Sequence, residues 1–171
     1  MSRPLSGVRG KTILSLMSEA FIVIPGGGRH LDLGNFEAVV LATSAQTSGD
    51  FTLLQTQNEP SDFGPPLHLH RDAAEAFYVL EGEYLMFLED QQTRCPPGTF
   101  VYVPRATPHT FKVVSPGPGK KLNLFTPAAM TEFFEQLADA EASGSATPEL
   151  LNEIATRSHM EVLGPVPDTY L

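Results

Sequence analysis

Residues 68–82 read HLHRDAAEAFYVLEG and carry the most informative pattern in the chain. Successive side chains of a β-strand point to opposite faces, so His68 and His70 are predicted to lie on the same face of one strand. The segment that follows predicts a second strand, which brings Glu75 to the same surface with Phe77 above it if the carboxylate faces the histidines. Two imidazoles and one carboxylate are therefore predicted to converge.

A second stretch, GTFVYVPRATPH over residues 98–109, supplies a third histidine at the start of another predicted strand. Three histidines and a glutamate from different strands suit a first-row metal ion, because imidazole is its common ligand and the carboxylate balances charge. On an octahedral ion such a set leaves positions open for substrate, water or dioxygen. The predicted metal ligands are His68, His70, Glu75 and His109.

One histidine alone is more often a surface or core residue than a ligand, so the prediction depends on the combined spacing. That spacing resembles the two signature motifs of the cupins, a superfamily of small β-barrels. The first is usually G-x5-H-x-H-x3-4-E-x6-G, and residues 68–82 match it, although Asp62 occupies the leading glycine position. The second is usually G-x5-P-x-G-x2-H-x3-N, and residues 98–109 match it, with Ala106 and Val113 replacing the second glycine and the asparagine. None of these three departures removes a ligand.

From about residue 35 to about residue 165 the sequence is similar to the small bacterial cupins grouped as quercetin 2,3-dioxygenase-like. The similarity is carried by HRDAAEAFYVLEG, by FTP with the FFE segment after it, and by EVLGP. The resemblance implies a jelly-roll barrel, also called a double-stranded β-helix, and a homodimer. It also implies a small-molecule substrate and one divalent transition metal ion, which is iron, manganese, nickel, copper, cobalt or zinc.

The fold class also follows from periodicity without the resemblance, because many short strands alternate with turn signals, which is typical of an antiparallel sandwich or barrel. The predicted strands include Phe21–Ile24, Phe36–Ala42, Phe51–Gln57, Glu75–Glu81, Tyr84–Leu88, Phe100–Val103 and Leu122–Phe125. Beyond them the apolar period becomes helical. We therefore predict an all-β protein with a C-terminal helical appendage.

Two helices are predicted in that appendage, the first with Thr126 as cap and Pro127 at its first position. The second has Thr147 as cap and Pro148 at its first position. The chain is predicted as one domain over residues 1–171, with an N-terminal arm at 1–20, a barrel at about 21–125 and helices at about 127–160.

Composition restricts the partners and the compartment. A formal net charge of −9 argues against nucleic acid or an anionic membrane as a partner, since a phosphate-binding surface needs positive charge. No segment approaches the roughly 20 apolar residues that cross a bilayer. The single cysteine, Cys95, has no partner for an internal disulfide, which fits a cytoplasmic protein with a buried thiol.

Three functions remain open at this point. The first is a metal-dependent dioxygenase acting on a flavonol or another hydroxylated aromatic, with Glu75 as ligand or as the base that takes a phenolic proton. The second is a non-oxidative cyclase, isomerase or lyase, in which the metal polarises a carbonyl or enolate oxygen. The third is a binding protein without catalysis. The predicted apolar walls of the pocket are Phe77, Met86, Tyr102, Phe111 and Phe125.

Overall fold

The computed structural model describes residues 19–165, which form two β-sheets and two helices. The predicted N-terminal arm lies almost wholly outside these residues. The strands are β1 (Arg29–Asp32), β2 (Glu37–Ala42), β3 (Thr52–Glu59), β4 (Leu67–His70), β5 (Ala74–Glu81), β6 (Tyr84–Leu88), β7 (Gln91–Cys95), β8 (Phe100–Val103), β9 (His109–Val113), β10 (Gly119–Thr126) and β11 (Met160–Gly164). The helices are α1 (Thr131–Ser143) and α2 (Pro148–Arg157).

Both sheets are antiparallel. One has six strands in the order β1-β2-β3-β10-β5-β8, and the other has five in the order β11-β4-β9-β6-β7. Several neighbouring strands are far apart in sequence, as in the pairs β10 with β3 and β4 with β9, which is the wrapped connectivity of a jelly roll. The predicted all-β barrel with C-terminal helices is confirmed.

Strand alternation determines which side chains enter the barrel. In β10, residues Lys121, Asn123 and Phe125 are buried, while the residues between them are partly exposed. In β8, Val101 and Val103 are buried and the alternate residues are exposed. The interior therefore receives every second residue, as a two-residue period requires.

Two apolar clusters flank the interior. One contains Phe36, Leu54 and Phe125, and α1 packs against it through Phe133 and Leu137. The helices therefore cover one end of the barrel, because their apolar side chains extend this cluster. The other cluster consists of Phe77, Val79, Tyr84, Met86, Cys95, Val101, Val103, Phe111 and Val113. Each fully buried large apolar side chain of this kind contributes about 1.5–3 kcal/mol to stability.

Most predicted strands are found close to their expected bounds, but one predicted strand and the predicted start of the first helix are wrong. Residues 21–24 form no strand, and Ile22 is 89% exposed, because no neighbouring strand pairs with this segment. Helix α1 begins at Thr131, since Thr126 is the last residue of β10 and is not available as a cap. The cap of α2 is confirmed, because the Thr147 hydroxyl accepts a hydrogen bond from the Leu150 N–H at 3.2 Å.

Strand β11 was not predicted. It follows both helices and pairs with β4, with Met160 opposite His70 and Val162 opposite His68. The barrel sheets therefore include residues well beyond the predicted boundary near residue 125. Within the described part of the chain, no helix is both long enough and apolar enough to span a bilayer.

Candidate metal centre

The structure brings the four predicted metal ligands into one buried cluster, called here the metal cluster. His68 and His70 come from β4, Glu75 comes from β5 and His109 comes from β9, where it lies opposite His68 in the register. Each of these residues is at most 5% exposed. One ligand atom from each lies within 4.8 Å of the others. The cluster draws on both sheets, so it forms only when the barrel closes.

Two of the imidazoles have a defined tautomer. The Nδ1–H of His68 donates to the Pro66 carbonyl at 2.7 Å, and the Nδ1–H of His109 donates to the Thr107 carbonyl at 2.9 Å, since a carbonyl oxygen can only accept. Burial and the neighbouring His109 and His70 lower the pKa of His68 to about 3, so this ring is neutral at physiological pH. Its Nε2 therefore carries a free lone pair. Backbone contacts of this kind are typical of metal-ligating histidines.

Glu75 Oε2 lies 3.0 Å from the Nε2 atoms of both His70 and His109. Burial raises the pKa of Glu75, but hydrogen bonds and charge from His109 and His70 outweigh it, so the pKa lies below its usual value and the carboxyl is ionised. If His109 carried a proton on Nδ1 alone, the lone pair on its Nε2 would face the lone pairs of Glu75 Oε2, and the contact would be repulsive. This contact therefore requires a positive charge, either a proton or a metal ion, and the donor set fits a divalent transition metal.

His70 is held differently from the other two rings. Its Nδ1 and the Thr131 hydroxyl are buried without a hydrogen-bond partner among the described side chains. The ring packs edge-on against Phe125, with centroids 5.4 Å apart. Aromatic packing and the contact with Glu75, rather than a backbone hydrogen bond, thus fix its orientation.

The metal cluster opens into a cavity of about 310 Å³. Three of the predicted pocket residues, Phe77, Phe111 and Phe125, line this cavity, and Phe77 and Phe111 meet edge-to-face with ring centroids 6.2 Å apart. Phe133 and Leu137 of α1 contribute to the lining from the helical side. Buried apolar walls beside a few convergent polar groups are typical of small-molecule sites.

Two predicted pocket residues do not line this cavity. Tyr102 is 56% exposed, because Val101 and Val103 on either side of it face the interior and alternation turns Tyr102 outward. Met86 is buried in the same apolar cluster as Phe77 and Phe111 and lies opposite Phe111 in the register, but it is not part of the cavity lining. Both predictions are corrected here.

Sequence reasoning missed a second polar group in the cavity wall, called here the lysine cluster. It consists of Thr56, Glu59, Lys121 and Asn123. Lys121 Nζ donates to Glu59 Oε1 at 2.5 Å and to Thr56 Oγ1 at 3.0 Å, and the Tyr84 hydroxyl donates to Glu59 Oε2. A signal was present, because alternation from the predicted pocket residue Phe125 places Asn123 and Lys121 on the same face.

Two of the three departures from the cupin motifs, at Asp62 and Ala106, can be related to local geometry. Gly64, two residues after Asp62, packs so closely on β9 that a Cβ there would lie 1.9 Å from the Phe111 carbonyl oxygen. Ala106 has a φ of 57° where the motif usually has glycine, and its N–H donates to the His70 carbonyl at 2.8 Å. The left-handed turn is therefore kept without glycine.

Comparison with known proteins agrees with this architecture. Residues 56–125 match the family described as Cupin domain. Quercetin 2,3-dioxygenase of Bacillus subtilis is 28% identical over 119 residues, which cover 70% of this chain and 35% of that protein. The chain thus spans about a third of the length of this relative.

Solved structures show the same fold at lower identity. KdgF from Halomonas sp. is 19% identical with a TM-score of 0.55, and the match covers 63% of this chain and 94% of that one. The polyketide cyclase RemF from Streptomyces resistomycificus is 20% identical with a TM-score of 0.54, covering 63% of this chain and 80% of that one. These likenesses establish the fold and not the reaction.

A jelly-roll barrel with a buried cluster of three histidines and a glutamate defines the class of protein. Residues 56–125 form a cupin domain. Among cupins its sequence is similar to the quercetin 2,3-dioxygenase-like group, which confirms the resemblance that the motifs indicate.

Proposed function

We propose that the protein is a metal-dependent dioxygenase that acts on a flavonol or another hydroxylated aromatic. The observation that carries this proposal is that the metal cluster lines an aromatic-walled cavity directly, with His68, His70 and Glu75 in its wall. The similarity to a quercetin 2,3-dioxygenase over 70% of the chain supports the choice of reaction.

The three histidines and Glu75 would hold one divalent transition metal ion. When bound, such an ion supplies the redox and Lewis-acid chemistry that insertion of oxygen into an activated aromatic requires. The residues of the chain fix the site for it, since the Nδ1–H groups of His68 and His109 are held by backbone carbonyls and both Nε2 atoms belong to the cluster. The rings therefore need no rearrangement to act as ligands.

Glu75 is the proposed base. Its carboxylate is ionised, and burial by itself raises its pKa, so moving it away from His70 and His109 would make it a stronger base. A substrate hydroxyl placed beside Oε2 would then transfer its proton to this residue. The proton would stay in the cavity, because Glu75 is only 5% exposed.

The aromatic walls would orient the substrate. Phe77 and Phe111 stand at an angle to each other, with an interplanar angle of 72°, and Phe125 lies beside His70. A planar aromatic fits edge-to-face or offset against such rings, and its burial excludes water from the reacting end.

The first test is the metal content of protein purified without chelators, measured together with oxygen uptake on quercetin. We expect near-stoichiometric iron, manganese, nickel, cobalt or copper, loss of that metal in His70→Ala, and uptake that depends on quercetin. His30→Ala is the matched control, because His30 is exposed on β1 and lies outside the metal cluster. Zinc without oxygen uptake would instead favour a cyclase, isomerase or lyase reaction. Absence of metal from both the wild type and His70→Ala would overturn the proposal.

We also propose the homodimer and the cytoplasmic location that the sequence predicts. Light scattering on the eluting protein tests the first, since a dimer has twice the mass of one chain. Fractionation of the source cells tests the second, and recovery of the protein outside the cytoplasm would contradict it.

A further inference from the structure

The lysine cluster has no role in the proposed reaction, although it shares the cavity with the metal cluster. Thr56 and Glu59 come from β3, whereas Lys121 and Asn123 come from β10. Lys121 and Glu59 are each 1% exposed. Buried charges of opposite sign in a cavity wall call for an explanation.

The register of β5 and β10 places the two clusters in successive layers of one barrel. Glu75 lies opposite Phe125, Phe77 lies opposite Asn123, and Val79 lies opposite Lys121. With a rise of about 3.3 Å per residue, the backbone of Lys121 lies about 13 Å along the strand from that of Phe125. The paired residues Phe77 and Asn123 therefore lie in the layer between Glu75 and Lys121.

The side chain of Lys121 leans back toward the metal side. Its Nζ lies 4.0 Å from the centroid of the Phe111 ring, and Phe111 itself shares a face of β9 with His109. A molecule of two or three fused or linked rings that touches Phe111 would therefore reach both clusters at once.

A purely structural role is a weak explanation for this pair. Replacing a buried ion pair by apolar side chains of similar volume is often neutral or stabilising, so packing alone gives no reason to keep the charges. Burial lowers the pKa of Lys121, and Glu59 offsets this by favouring the charged form. The described hydrogen bonds of Lys121, to Glu59 and Thr56, use two of the three ammonium protons.

We propose that Lys121 is a substrate-positioning residue whose remaining N–H donates to an oxygen on the substrate end remote from the metal cluster. Because Glu59 neutralises its charge, the site takes a neutral hydroxyl or carbonyl oxygen and does not require an anion. The substrate class is an elongated planar aromatic that carries oxygen at both ends. The identity of the reacting end rests on the proposed function.

The test compares two ligands that share the hydroxy-ketone chelating group and differ at the remote rings. Quercetin carries hydroxyls there, whereas unsubstituted flavonol carries none. Dissociation constants are measured by absorbance titration of protein loaded with Zn²⁺, in which oxygen chemistry does not compete with binding. We expect the wild type to bind quercetin at least about tenfold more tightly than flavonol, as a hydrogen bond from a charged donor implies.

The diagnostic variant is Lys121→Met with Glu59→Gln, which removes both charges and leaves no buried ion unpaired. We expect the preference for quercetin to fall to about one-fold while flavonol binding and zinc content are unchanged. The control is Val79→Ala, which alters the residue opposite Lys121 without touching the cavity lining and should keep the preference. Thermal unfolding of each variant shows whether it is folded.

Each outcome decides one of the two proposals. A tenfold preference that survives in the double variant, or no preference in the wild type, overturns the role of Lys121. If the preference for quercetin over flavonol depends on Lys121 but the protein takes up no oxygen with quercetin, only the dioxygenase proposal is overturned. Failure of the wild type to bind either compound overturns both.

Discussion

The metal cluster and the lysine cluster bury charge in the same barrel by opposite means. In the metal cluster, the carboxylate oxygen Oε2 of Glu75 meets two imidazole nitrogens, and the contact with His109 requires an added positive charge. In the lysine cluster, Glu59 accepts from Lys121 on one oxygen and from Tyr84 on the other, so the charges of Lys121 and Glu59 balance within the group. The first arrangement is suited to bind a metal cation, whereas the second holds the Lys121 ammonium group in the cavity wall, where it can donate to a ligand.

The largest effect is expected for Glu75→Gln, which keeps the shape of the side chain and removes the base. Turnover should fall by about 10²–10⁴-fold if Glu75 acts as general base. Metal content by elemental analysis should remain, because the three histidines are intact. Unchanged oxygen uptake in a metal-loaded variant would contradict the base role.

Removal of one charge from the lysine cluster tests whether Lys121 and Glu59 stabilise each other. Lys121→Met alone should lower the free energy of unfolding by about 3–5 kcal/mol, because Glu59 stays buried and loses its cation. Adding Glu59→Gln should recover most of this loss. Urea unfolding of both variants measures the difference, and equal stability of the single and double variants would show that the two residues are not coupled.

Metal removal should destabilise the protein through the other cluster. A ligand that binds only the folded state at about 100 times its dissociation constant stabilises that state by about 2.7 kcal/mol. Chelation should therefore lower the unfolding midpoint of the wild type and leave that of His70→Ala unchanged. An equal chelator effect on both proteins would locate the bound metal elsewhere.

The smallest effect is expected for Ala106→Gly beside the metal cluster. Ala106 is in the left-handed region, where glycine is favoured, so the variant should gain about 0.5–1 kcal/mol. Asn58, next to the lysine cluster, has a similar φ of 58°, but asparagine tolerates it and its side chain donates to Glu37. Asn58→Gly should therefore give no gain in thermal unfolding, and an equal gain in both would reject this reasoning.

The metal cluster could be predicted from the sequence because its ligands follow short motifs with fixed spacing. His68 and His70 share a face by strand alternation alone, and residues 98–109 supply the distant His109 at the start of another predicted strand. The lysine cluster has no motif, since Glu59 and Lys121 are distant in sequence and each looks like an ordinary charged strand residue. Only the pairing of β3 with β10 brings them together.

The errors have similar physical causes. Tyr102 was predicted in the pocket because it is aromatic, although alternation from Val101 and Val103 places it outside. Strand β11 was missed because its five residues follow two helices and gain their order from pairing with β4. Thr126 resembles a helix cap, but it pairs with Ala74 as the last residue of β10 and therefore does not cap the helix. Tertiary contacts override local signals in each case.

The position of β11 also bears on how the protein matures on the ribosome. His68 and His70 are synthesised early, yet the strand that hydrogen-bonds to theirs emerges only after both helices have been made. Metal loading is therefore expected to be a late event in biogenesis, after residue 164 has left the exit tunnel. A nascent chain stalled before Met160 should retain less metal than one stalled well beyond Gly164.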